Sequence, residues 1–361
     1  MIKLKDIGKF DTIPELAQHI YEGNIAALNS ALAAGWDIEQ GIELSRYITC
    51  SPLDIAIIAE QLEVVKLLCE HGANLNAAGS PAFLTAVRYC GADIVRYVAA
   101  NGAKLDAINN VKSGAYEQAY YGNKANIPLI AELGLDITKH GGKTLRKAVD
   151  KHDLKTIDYL LEHGVDINFN EPDMVYPYKA TPLTVAARNG NLKMVKYLVE
   201  RGADVTLTEK DGERAYTIAV SSKHTEMADY LKAIEPPAFH HLENKLQALK
   251  SYKLPKDMIA FLCGDRLRLE LPANEYEIYY VEFFSITDVI EMKVGRQKLL
   301  RLTSAVDNYS DILIVWNPKK KCIGYYDVEH QVYADVCSFA EFLLQPEVHL
   351  ANIIEGEWLV D

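Results

Sequence analysis

The chain has 361 residues and a net charge of −12, enough length for two domains. The acidic balance holds in both parts: 25 basic against 31 acidic residues up to Glu235, and 13 against 19 beyond it. Neither part offers the basic surface that nucleic-acid binding needs, and no apolar run of about 18 residues is present to span a membrane.

The start, Met1-Ile2-Lys3-Leu4-Lys5-Asp6, lacks the apolar core of a secretory leader, so a cytoplasmic protein is expected. A periodic pattern then sets in. Glycine recurs at Gly35, Gly72, Gly102, Gly134, Gly164 and Gly202, each after an apolar stripe and two places before an Asp, Asn or Lys. Such a glycine marks a helix ending in a left-handed residue, because it has no Cβ to clash. Each unit also carries a small residue in its first helix: Ala56, Ala86, Ala119, Ala148, Ala186 and Ala219. The second helices are apolar at helical spacing, as in Leu62, Val65, Leu67 and Leu68, or Leu192, Val195, Leu198 and Val199. Ser51-Pro52 and Thr181-Pro182 supply a capping hydroxyl followed by proline at the first helical position. His71 and His163, just before helix-ending glycines, are placed to satisfy the last carbonyls.

The phrase from Thr181-Pro182-Leu183-Thr184 through Gly202-Ala203-Asp204 resembles an ankyrin repeat, and its variants recur near that family's period of about 33 residues. The resemblance implies an α solenoid of six clear repeats plus a degenerate seventh, from about Asp211 to Ile234. The end units depart from the pattern, with His19 in place of the small residue and Glu235 in place of the glycine. Atypical ends suit a stack that meets water or another domain there. Met227, Ala228 and Leu231 of the seventh unit need a cover, and the C-terminal domain is expected to supply it. Two junctions are long, Gln40 to Thr49 and Asn170 to Ala180, and the resemblance puts them at the hairpin tips of the binding side.

Glu235-Pro236-Pro237-Ala238 breaks the pattern and reads as a short stiff linker, dividing a repeat domain at 1–235 from a second domain at 236–361. Beyond it the residues predict a helix from His241 to Tyr252 and another from Pro255. Strands rich in Tyr, Ile and Val are predicted at 277–284, 299–302, 311–316, 322–327 and 331–335. A helix follows at 338–344, then a last segment to Trp358. This order predicts a smaller α+β domain with an antiparallel sheet. The residues Leu254-Pro255-Lys256-Asp257, Asp311-Ile312-Leu313-Ile314-Val315-Trp316, Ile323-Gly324-Tyr325-Tyr326-Asp327 and Ser338-Phe339-Ala340-Glu341-Phe342-Leu343 resemble the SUKH superfamily. That superfamily is known for immunity proteins of bacterial toxin systems and for a fungal cell-wall synthesis regulator. Where it has Asn-Gly-Gly, this chain has Cys263-Gly264-Asp265-Arg266.

No hydrolase, metalloprotease or phosphate-loop motif is present, and an enzyme is not expected. The acidic stretch Asp265, Glu270, Glu275 and Glu277 reads as solvated surface, so no metal and no cofactor is expected. The six cysteines include no C-x-x-C pair and read as reduced thiols. The expected partner is another protein. The ends of the first helices offer Arg88, Tyr89, Tyr116, Tyr120, Tyr121, Arg188 and Asn189, and the second insertion offers Tyr176 and Tyr178. Tyr and Arg suit interface hot spots because they bury large areas while keeping polar reach. Neutralisation of a basic toxin domain is the expected role, with a scaffold bridging two cellular proteins as the alternative.

Overall fold

A computed structural model of the chain describes residues 13–356. The start at Met1 to Asp6 and the end at Trp358 lie outside the described residues. The chain divides into two compact units, residues 13–166 with 173–175, and residues 167–172 with 176–356.

The first unit is a run of antiparallel helix pairs: α1 (Glu15–Glu22) with α2 (Ile25–Ala33), α3 (Pro52–Ile58) with α4 (Leu62–Glu70), and α5 (Ala82–Tyr89) with α6 (Ala92–Ala100). It continues with α7 (Ala115–Tyr121) and α8 (Asn126–Glu132), an extra helical turn α9 (Ile137–His140), then α10 (Gly142–Asp150) and α11 (Leu154–Glu162). The first long insertion forms a hairpin of β1 (Ile42–Ser45) and β2 (Ile48–Cys50). Helices this short are marginal alone, so stacking supplies their stability. First helices pack on first helices, α3 between α1 and α5, and α5 against α7. Ala56, Ala86, Ala119 and Ala148 are fully buried where those backbones approach. The six ruler glycines all have φ between +82° and +103°, as the pattern requires. Ser51 Oγ accepts the Asp54 amide at 3.0 Å, and the His71 and His163 Nδ1 atoms sit 2.9 and 2.7 Å from the carbonyls of Leu67 and Tyr159.

The second unit opens with two more pairs, α12 (Pro182–Arg188) with α13 (Leu192–Glu200) and α14 (Ala215–Ser221) with α15 (Thr225–Ile234). Glu235 is buried and takes a two-pronged bond from Arg214, at 2.7 and 3.0 Å, which ties α14 to the end of α15. The fold type changes at Pro236-Pro237, while the division by compactness falls earlier, so these pairs and the C-terminal region form one body.

Among the described residues that region contains α16 (Leu242–Ala248), a 3-10 turn at Leu249–Tyr252, α17 (Lys256–Leu262), eight strands and then two more helices. The predicted helix to Tyr252 is therefore α-helical only as far as Ala248. Strands β3 (Arg268–Glu270), β4 (Tyr280–Phe283) and β7 (Thr303–Val306) form a three-stranded sheet. Strands β5 (Ile290–Val294), β6 (Gln297–Arg301), β8 (Ile312–Asn317), β9 (Cys322–Asp327) and β10 (Val332–Cys337) form a five-stranded one, in the order β10-β9-β8-β6-β5. All pairings are antiparallel. One face of the larger sheet, with Ile314 and Trp316, joins Tyr252, Phe283, Phe339 and Phe342 in the main core beneath α18 (Phe339–Leu344) and α19 (Pro346–Glu355). The opposite face gathers Met292, Leu299, Leu313 and Val315.

The seventh helix pair meets this region closely. Val220 packs on the main core, Tyr216 donates to Asp288 at 3.1 Å, and Lys223 pairs with Glu282 at 3.0 Å. Arg301 of β6, 8% exposed, reaches Glu213, 6% exposed, at 2.9 Å, and its other nitrogens bond the carbonyls of Thr303 and Ser304.

Candidate protein-binding surface

The sequence-predicted site residues separate into three groups. Tyr116 and Tyr120 are core residues, 1% and 5% exposed. The Tyr116 hydroxyl donates to the Leu135 carbonyl at 2.6 Å, which anchors the following loop. Both face inward because residues on the stacking side of a seven-residue helix have nowhere else to point, so neither is available to a partner.

In the second unit, Tyr176 and Tyr178 are half-buried and pack edge to face, with ring centroids 6.1 Å apart. Arg188 lies over the Tyr178 ring and bonds Glu209 at 2.6 Å and Glu213 at 3.3 Å, so its charge is neutralised within the fold. Asn189 is exposed and caps α12. Tyr178 and Arg188 border a cavity of about 560 Å³ between the last helix pairs and the sheet face of Met292, Leu313 and Tyr326. Glu209, Asp211 and Glu213 bring carboxylate oxygens within 4.8 Å of one another there. Burial pushes Glu209 up to about 7 against the pull of Arg188. Burial also pushes Asp211 up, with the Glu213 charge adding to it. Arg188 and Arg301 already answer this cluster, so it reads as a buried charge network.

The third group assembles a surface. In the first unit, Arg88 at the end of α5 and Tyr121 at the end of α7 line a groove of about 370 Å³ with Val111, Lys112, Lys143, Met174 and Val175. Tyr89 lies on an adjoining groove of about 290 Å³ that shares Arg88. The Arg88 guanidinium donates to Gln118 Oε1 at 2.9 Å, and Gln118 is itself held by Ser113 Oγ at 2.8 Å. Val111 sits on a hairpin tip closed by the Asn109 amide to the Ser113 carbonyl at 3.1 Å. Met174 is 72% exposed, Val111 60%, Val175 56% and Tyr121 47%. Apolar side chains gathered at an open groove are what a monomer surface normally avoids. Asp173, beside them, pairs with the fully buried Arg146, which fixes the insertion at its root.

Sequence reasoning chose the tyrosines of this insertion and missed Met174 and Val175. Their signal was present: two aliphatic residues inside a polar, proline-bearing loop, matched by Val111 on the tip before α7.

Comparison with known proteins bears on the repeats. Residues 145–239 match a family model described as ankyrin repeats in three copies, and residues 50–80 match one described as an ankyrin repeat. The crystal structure of the human ASB11 ankyrin repeat domain is similar at 21% identity and a TM-score of 0.45, covering 56% of this chain and 90% of that one. No curated protein matches the chain. The chain therefore carries ankyrin repeats, followed by a region with antiparallel sheets.

Proposed function

We propose that this chain is a non-enzymatic binding protein that holds another protein in the groove of Arg88, Val111, Tyr121, Lys143, Met174 and Val175. Ankyrin repeats suggest protein–protein interaction. The observation that carries the reading is the exposure of Val111, Met174 and Val175 around one groove. Met adapts to irregular partners, and Arg and Tyr are favoured anchors at interface centres. A cytosolic setting belongs to this proposal and fits Cys90, whose buried thiol donates to the Ile57 carbonyl.

The test is a peptide-display selection on the intact protein, repeated on the triple variant Val111→Ser, Met174→Ser, Val175→Ser. These side chains are exposed, so the variant should keep its melting temperature while losing a distinct set of binders. If every binder is retained, the groove is not the binding site.

Neutralisation of a bacterial toxin is the narrower form of this reading. It rests on the resemblance of residues 254–343 to the SUKH superfamily, and growth rescue of cells expressing a candidate toxin would test it.

A further inference from the structure

The groove's charges specify its partner, on the premise that it binds protein as argued above. The chain is acidic overall, yet this groove is lined by Arg88, Lys112 and Lys143 against Glu117 and Asp173. Asp173 is ion-paired with Arg146, and Glu117 is turned into the cap of its own helix, α7, where it accepts the Gly114 amide at 3.1 Å.

The cations are not so engaged. Arg88 has only the neutral Gln118 oxygen and the ring of Tyr89, 5.3 Å from its guanidinium. Lys143 donates to the Lys112 carbonyl at 2.9 Å and acts on the nearby Glu117 carboxylate through its charge alone. Neither forms an ion pair among the described residues. Lys112 is exposed on the tip of its hairpin with φ +57°. Arg88 is held in place by the Gln118–Ser113 chain, so it loses little freedom on receiving an anion, which is what pre-organised recognition requires.

We propose that the partner presents a short acidic segment, in which a bulky apolar side chain seats among Val111, Met174 and Val175 and a neighbouring Asp or Glu carboxylate is received by Arg88 and Lys143. A guanidinium takes a carboxylate with two parallel bonds, and the half-buried setting strengthens both contacts relative to open water. A basic segment would place its charges against Arg88 and Lys143, so the basic toxin domain first expected is not the occupant this groove selects. Long-range repulsion from the rest of this acidic chain acts beyond the screening length of about 8 Å at physiological salt and leaves the local contact intact.

The test uses the binders that the serine triple variant loses. Their sequences should carry an apolar residue with Asp or Glu close by. Their affinity should fall roughly two- to fivefold on Lys143→Gln and by more on Arg88→Gln with Lys143→Gln, and it should weaken as salt rises. Lys143→Gln alone keeps the test open if the Arg88 change disturbs α5. Groove-dependent binders that are basic or neutral, or indifferent to Lys143→Gln, overturn the acidic partner and leave the protein-binding reading standing. An absence of any groove-dependent binder refutes the protein-binding reading and the acidic partner with it.

Discussion

Replacing Arg301 by Met tests how the last helix pair is fastened to the sheets. Met fills most of the aliphatic volume but removes the guanidinium. Three bonds disappear: the 2.9 Å contact to Glu213 and the two to the Thr303 and Ser304 carbonyls. Glu213, only 6% exposed, would keep Arg188 at 3.3 Å, whose side chain is 40% exposed. Breaking a buried pair by removing one partner costs about 3–5 kcal/mol, because the other charge stays buried. The remaining Arg188 contact puts the expected loss near the lower end, about 3 kcal/mol. Urea unfolding followed by Trp316 fluorescence in a Trp36→Phe, Trp358→Phe background, which leaves Trp316 as the single tryptophan, reports on the second unit. Trp316 is 2% exposed there and donates its indole N–H to the Tyr252 carbonyl at 2.8 Å. A double-mutant cycle with Glu213→Gln isolates the pair, and a coupling above about 1 kcal/mol is expected for groups in direct contact. A loss below about 1 kcal/mol on Arg301→Met, with no coupling in the cycle, would refute the reading that this buried pair fastens the two elements.

Two further outcomes follow from the same contact region. A Cβ at Gly212 would lie 2.1 Å from the Glu291 carbonyl oxygen at φ +86°, whereas one at Gly202 would meet nothing within 4 Å at φ +92°. Gly202→Ala should therefore cost about 1 kcal/mol of backbone strain, and Gly212→Ala clearly more; equal losses in urea unfolding would show that the loop is not pressed against β5. Glu209 has its proton affinity raised from 4.5 to about 7, so folding takes up a proton between those values. The protonated form's advantage is complete below pH 4.5 and disappears as pH rises through 7. Relative to Glu209→Gln, the wild type should lose up to about 3 kcal/mol of stability across that window, and parallel pH profiles for the two proteins would contradict the assignment.

The repeat architecture was legible because it is written in local chemistry. A positive-φ glycine, a hydroxyl cap and a small residue at a close helix crossing each leave a mark at a fixed place in the unit. The sheets were legible in part. Strands β4, β6, β8, β9 and β10 fall within or beside the predicted runs, and β8 is buried along its whole length. Strand β5 was missed although Ile290-Glu291-Met292-Lys293-Val294 alternates and Gly295 closes a tight turn to β6. The charged residues at alternate places hid a half-buried strand. Strands β3 and β7 hold three and four residues, too few to show a period.

The site was harder to read for a different reason. Residue type tells what a side chain can do, while exposure depends on which way a short helix faces. Tyr116, Tyr120 and Tyr121 are nearly adjacent in sequence, yet only Tyr121 reaches solvent. The same separation governs the charges. Arg188 and Arg88 hold equivalent places at the ends of their helices. Arg188 meets Glu209 and Glu213 from the next hairpin, whereas Arg88 meets Gln118, a neutral residue in α7, the first helix of the next pair. One arginine is thereby consumed in binding its own chain and the other is kept charged at a surface. What the next unit offers at that one contact decides whether an arginine of the repeat stabilises the stack or is left to recognise a partner.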